Sequence, residues 1–180
     1  MTFGQIPTGE KEPARWEPAG SELRNWEAIR TIHRIEQPDH PYAQDSLETL
    51  RDYYGKEGRG GMVLRQGNRP IGYFLYRVEN RETPQLYIEK VHVLKEDRSP
   101  VIMSKFIQVL REQAERLNIP IVAWDRVSPD MREVSDAVGT STHQGYGRYT
   151  IPVEKLNSAT IVDMFIEHKK KSADSPRNYV

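Results

Sequence analysis

Apolar positions along the chain switch between a helical and an alternating rhythm. Leu23, Trp26, Ile29, Ile32 and Ile35 recur at the spacing of one helix face through Glu36, and Ser21 ahead of them predicts the N-cap. After the break QPDHPYA, Asp45 and Glu48 have capping-box spacing and predict a second helix, SLETLRDYY, that stops at Gly55. Gly60–Arg65 and Ile71–Glu79 read as two strands of a hairpin turning at Gln66-Gly67-Asn68-Arg69, and Leu86–Leu94 reads as a third strand. Ser99 and Pro100 predict an N-cap and a first helical residue, with Ile102, Phe106, Val109, Leu110, Gln113 and Leu117 on one face of a long helix. Ile119–Trp124 has the unbroken apolar character of a buried strand. Pro129–Val138 reads as a short helix ended by Gly139, and Tyr146–Val153 alternates as a last strand. Ser158 then caps a helix with Ile161, Val162, Phe165 and Ile166 on one side, either the domain's own core or a docking face. With Ala14–Ala19 as an opening strand, the order predicts a mixed α/β fold. Its sheet is central, twisted and mostly antiparallel, with one β-α-β crossover and helices on both faces.

These elements divide the chain into an irregular arm (1–13), a domain (14–153), a C-terminal helix (154–170) and a tail (171–180). Both ends hold little to bury and predict ordering by a protein partner or by self-association. Composition narrows the function classes. Lys+Arg and Asp+Glu are 26 each, and this balance argues against a nucleic-acid surface built on bulk charge. Zero cysteines exclude disulfides, thiolate metal sites and a cysteine nucleophile. Without a long apolar run or a signal-like start, neither a membrane span nor secretion is expected, and the expected setting is cytoplasmic.

Few motifs carry chemistry. His33, His40, His92, His143 and His168 show no metal-ligand spacing. No Gly-x-Ser-x-Gly elbow or Walker A loop occurs, and Gly145-Tyr146-Gly147 lacks the third glycine of a dinucleotide fingerprint, so it reads as a bulge in the last strand. Lys169-Lys170-Lys171 reads as a solvated helix end, and Tyr53-Tyr54 with Tyr73-Phe74-Tyr76 as packing of the sheet and its covering helices or, alternatively, as an aromatic substrate wall. Glu89, a charge within an apolar strand, is a general base, a solvent-facing residue, or a partner for Lys90 or Arg77.

The element order, the opening ARWEPAGSELRNWEAIRTIHRIE and above all IEKVHVLKEDRSPVIM (88–103) resemble the GNAT superfamily of acyl-CoA-dependent N-acyltransferases, over roughly Arg15 to Val153. The resemblance puts Glu89 at that family's acidic position, Val91 and Val93 at its aliphatic ones, and Arg98 at the start of its Gln/Arg-x-x-Gly-x-Gly/Ala loop. In such a site a splayed strand pairs with the pantetheine arm, and a helix N-terminus receives the pyrophosphate. Here Arg98 is followed by Ser99 and Pro100, and Val101 and Met103 replace the two glycines. The family's proton-donating tyrosine falls on Ser135, and Thr140 replaces a phenylalanine.

Those departures predict a cradle filled by Val101 and Met103. The expectation they lead to is a non-catalytic binding or structural module without a cofactor, extending to a place in a larger assembly such as a virus particle. The alternative is an acetyl-CoA-dependent N-acetyltransferase using Glu89 as base on a small amine or a protein N-terminus. A third reading, a relative binding another small ligand in the same cleft, stays open.

Overall fold

The computed structural model describes residues 12–41, 44–125 and 147–174. Its element order is β1 (Ala14–Pro18), α1 (Leu23–Glu36), α2 (Leu47–Tyr54), β2 (Arg59–Gln66), β3 (Arg69–Glu79), β4 (Gln85–Val93), α3 (Pro100–Arg116), β5 (Ile121–Asp125), β6 (Arg148–Pro152) and α4 (Ser158–Asp174). The strands lie in sequence order in one six-stranded sheet. All neighbours are antiparallel except β4 and β5, which α3 joins as a parallel crossover. The sheet predicted from the sequence is the one observed.

Both faces are covered because the strands are apolar on both sides. On one face Phe74, Leu86, Ile88, Val122 and Ile151 meet Phe106, Leu110 and Ala114 of α3 and Ile161 of α4. The C-terminal stripe therefore contributes to the domain's own core through Ile161. On the other face Val63, Tyr73 and Leu75 meet Trp26, Ile29 and Ile32 of α1 and Leu50 and Tyr54 of α2.

Local chemistry shifts several boundaries. α1 starts at Leu23 behind Glu22, which makes no side-chain cap, so Ser21 is not the N-cap. Gly20, at φ +55°, turns the chain there, and the turn is held from inside the helix. Asn25 Nδ2 donates to the Pro18 and Ala19 carbonyls, and Trp26 Nε1 donates to that of Gly20 at 3.0 Å. α2 is capped by Ser46, whose hydroxyl accepts from the Thr49 N–H, instead of by Asp45. Gly147, at φ +79°, precedes β6 and does not bulge it. The expected helix at Pro129–Val138 lies outside the described residues.

Ser99 caps α3 as expected: its hydroxyl accepts from the Ile102 N–H, with Pro100 next in line. Ser99→Ala should cost about 1 kcal/mol, read as a lower urea midpoint with an unchanged m-value. No helix among the described residues is long and apolar enough to cross a membrane.

Candidate active site

The site grows from an irregularity in β4. Leu75 of β3 pairs with Lys90 and Tyr76 with Ile88, so Glu89 is the extra residue of a β-bulge. Leu86 and Ile88 face the α3 core, and after the bulge Val91 does so too. The bulge thus turns Glu89 toward the α1–α2 face without disturbing the core pattern on either side. Pairing with β5 stops at the same place. Its last rung is Ile88 with Trp124, while β4 runs on to Val93. From Glu89 onward the β5-facing edge of β4 has no paired strand among the described residues.

Glu89 is nearly buried, its side chain 8% exposed. Tyr54 donates its hydroxyl to Oε2 at 2.6 Å, and Arg77 forms an ion pair with Oε1. Tyr54 is placed by the end of α2 and by its stack on Trp26, centroids 6.1 Å apart. Of the partners weighed for Glu89, Arg77 is therefore the one it has.

A charged network extends from this pair along the strand ends. Arg77 and Arg148 both donate to Glu79, at 2.8 and 2.7 Å, and Arg81 joins them. Burial alone would raise the Glu79 carboxyl, but its bonds from Arg148, Arg77 and Arg81 win and hold it down at about 2. Burial would lower Arg77, and its bonds to Glu79 and Glu89 reverse that and raise it. Both guanidiniums lie 4.5 Å from the centre of the Tyr87 ring. Tyr87 donates to Asp125 at 2.6 Å, and burial followed by that neighbour pushes its phenol up to about 12.

Further along β4, on the same face, stands a histidine cluster. His33 of α1 and His92 of β4 are buried, their rings 5.6 Å apart, and His40 meets His33 at 4.8 Å. His33 Nδ1 hydrogen-bonds the Tyr73 hydroxyl. Burial first, then neighbouring positive charge, lowers His33 to about 4 and His92 to about 3. No group of His, Asp or Glu among the described residues is placed to hold a metal ion.

At the entrance to α3, Arg98 donates to the Val93 carbonyl at 2.9 Å and to Glu36 at 2.8 Å, so it ties the loop to α1. A helix start leaves its first donors without intrahelical acceptors. Pro100 has none to offer and Ile102 is taken by Ser99, which leaves the Val101 N–H. Val101 is 63% exposed, and Met103 is packed onto the main core. The filled cradle expected from the sequence is thus corrected for Met103, which packs into the core with Ile102 while Val101 stands exposed at the helix start. The unpaired edge of β4 and the Val101 N–H at the start of α3 are the groups an extended pantetheine and a pyrophosphate would meet.

Val91 has its side chain in the core and Val93 packs near Ile71, so both offer backbone and not side chain to a ligand. Ser135 lies outside the described residues. Tyr87 and Asp125 are marked as site residues by no spacing in the sequence, and Tyr54 only as an aromatic that packs or walls a substrate.

The profile of the acetyltransferase (GNAT) family matches residues 26–135, more than half of the chain. The chain belongs to the GNAT acetyltransferase family. Solved structures share its fold at low identity. The aminoglycoside acetyltransferase meta-AAC0020, from an uncultured soil metagenomic sample and in complex with sisomicin, is 15% identical, with 72% of this chain and 88% of that one covered and a TM-score of 0.60. AAC(6')-Iy with a CoA bisubstrate analogue is 15% identical, covered over 74% and 94%, at a TM-score of 0.61. The ribosomal-protein-alanine N-acetyltransferase of Brucella melitensis biovar Abortus 2308 is 12% identical, covered over 74% and 95%, at 0.59. No curated protein sequence matches.

These findings correct the expectation of a non-catalytic structural module and of a virion role. The family is one of acetyltransferases, its fold neighbours include enzymes solved with CoA or a CoA analogue, and Met103, one of the two side chains expected to fill the cradle, packs into the core instead. The expected lack of a cofactor has no support for the same reasons.

Proposed function

We propose that this GNAT domain transfers an acetyl group from acetyl-CoA to an amine, with Glu89 as the base. The observation that carries this is the placement of Glu89: it is bulged out of β4 at the rung where β5 departs and is fixed from two sides by Tyr54 and Arg77. Acetyl-CoA, when bound, supplies a thioester carbonyl open to attack. The backbone of residues 89–93 would hold the pantetheine arm, and the Val101 N–H at the positive end of α3 would face the pyrophosphate.

An amine reaches neutral pH as an ammonium and attacks only after losing a proton. Glu89 takes that proton, directly or through one water. Neither of its partners competes, since a guanidinium is a donor without a lone pair and Tyr54 already donates. The new bond is the amide C–N, the bond that breaks is C–S, and the thiolate leaves with a proton from solvent.

Binding is tested apart from chemistry. Acetyl-CoA at a hundredfold excess over its Kd should stabilise the fold by about 2.7 kcal/mol, seen as a raised melting temperature. No shift at millimolar acetyl-CoA would remove the proposal.

A further inference from the structure

A cavity of about 580 Å³ opens where β1 ends and β2 begins, between the start of α1 and the end of α2. We infer that it receives the anionic end of the acceptor, so that the favoured acceptor is an amine that also carries a carboxylate. This rests on the acetyltransferase reading.

The volume is that of a small-molecule site. Trp26, Tyr54 and the bare backbone of Gly60 and Gly61 make up part of its wall, a surface suited to an aliphatic stem. The charge is one-sided. Arg51, Lys56 and Arg59 line the cavity against a single acid, Asp52, and Asp52 is already paired with Arg51 at 3.2 Å. Neither Lys56 nor Arg59 has a carboxylate partner among the described residues. The Arg59 guanidinium is held 4.0 Å over the Tyr53 ring, which limits its conformations before any ligand arrives.

Tyr54 connects this cavity to the chemistry, since it lines the one and hydrogen-bonds Glu89 of the other. The carboxylates of the neighbouring network are committed to cations of the protein itself: Glu89 to Arg77, Glu79 to three arginines, Asp125 to Arg148. A polycationic acceptor would have to displace an arginine to seat a second ammonium, and Lys56 and Arg59 would repel it. An amine with a carboxylate meets the opposite situation.

The experiment offers acetyl-CoA with three acceptors: L-glutamate, a tetrapeptide with aspartate at its second and third positions, and spermidine. Thiol release is followed, and L-glutamate and the peptide are titrated calorimetrically into the protein alone. One of the two carboxylated amines should exceed spermidine at least tenfold in kcat/KM, and which one tells a free amino acid from a peptide N-terminus. Lys56→Glu and Arg59→Glu should each raise its KM about tenfold, with a smaller change in kcat. Spermidine as the better acceptor, or a KM unmoved by both variants, would overturn the inference. Should no amine release thiol and acetyl-CoA give no thermal shift, the enzyme reading fails. Calorimetry then decides the cavity alone: binding lost in the two variants supports it, and no binding refutes it.

Discussion

Glu89→Gln should leave a folded protein that still gains thermal stability from acetyl-CoA but transfers acetyl groups about a hundredfold to ten-thousandfold more slowly. The substitution keeps the shape of the side chain, and its carbonyl oxygen still accepts from Tyr54, 2.6 Å away in the parent protein. What it removes is the capacity to take a proton, along with the charge opposite Arg77. Arg77 is partly exposed and has Glu79 as a second partner, so the fold has somewhere to put the released guanidinium. Tyr54→Phe makes the informative contrast. It deletes one donor and retains the base, so the rate should fall by much less. Steady-state thiol release from pH 6 to 9 reads both variants. A Glu89→Gln enzyme that turns over at the parent rate would end the assignment of Glu89 as base.

How far the sequence reveals this site varies residue by residue. The sheet was legible because its strands are apolar on both faces and its helices carry regular stripes: Phe106, Val109 and Leu110 of α3 face the sheet as their spacing requires. Glu89 was legible as a charge breaking an apolar run. Its partners were not. Tyr54 is 35 positions away in sequence and Arg77 is 12, and only the sheet register and the docking of α2 bring them together. Tyr54 beside Tyr53 reads as packing, and it does pack; its hydroxyl also has a second role that no periodicity encodes.

Met103 shows the opposite error. Bulk at a position where relatives have glycine reads as obstruction, yet obstruction depends on where the side chain points. Ser99 and Pro100 fix the first turn of α3 so that Ile102 and Met103 face inward and Val101 faces out. The missing glycine removes flexibility and a degree of close approach, while the helix-start N–H survives.

The second large effect concerns acid. His33 and His92 are 2% and 6% exposed in the fold, and both are lowered, to about 4 and about 3, from the 6.5 of an unfolded chain. Below pH 6.5 the unfolded chain therefore takes up protons that the folded one refuses, and stability must fall as pH falls. The loss begins near 6.5 and continues until the folded-state values are reached. At pH 5 it should amount to about 2 kcal/mol for each histidine, a large part of an ordinary domain's total of about 5–15 kcal/mol. Charges facing the pair all act in the same direction: Lys90 from β4, Arg98 from the loop and His40 from beyond α1 each disfavour an added proton. Glu79, held at about 2, contributes stability that is lost only below its ordinary 4.5. Urea unfolding at pH 8 and pH 5 measures the difference, and His92→Phe, which keeps an aromatic ring and removes the titration, should recover about half of it. Equal midpoints at the two pH values would show that the histidines take up protons in place, and that the cluster is far wetter than its burial implies.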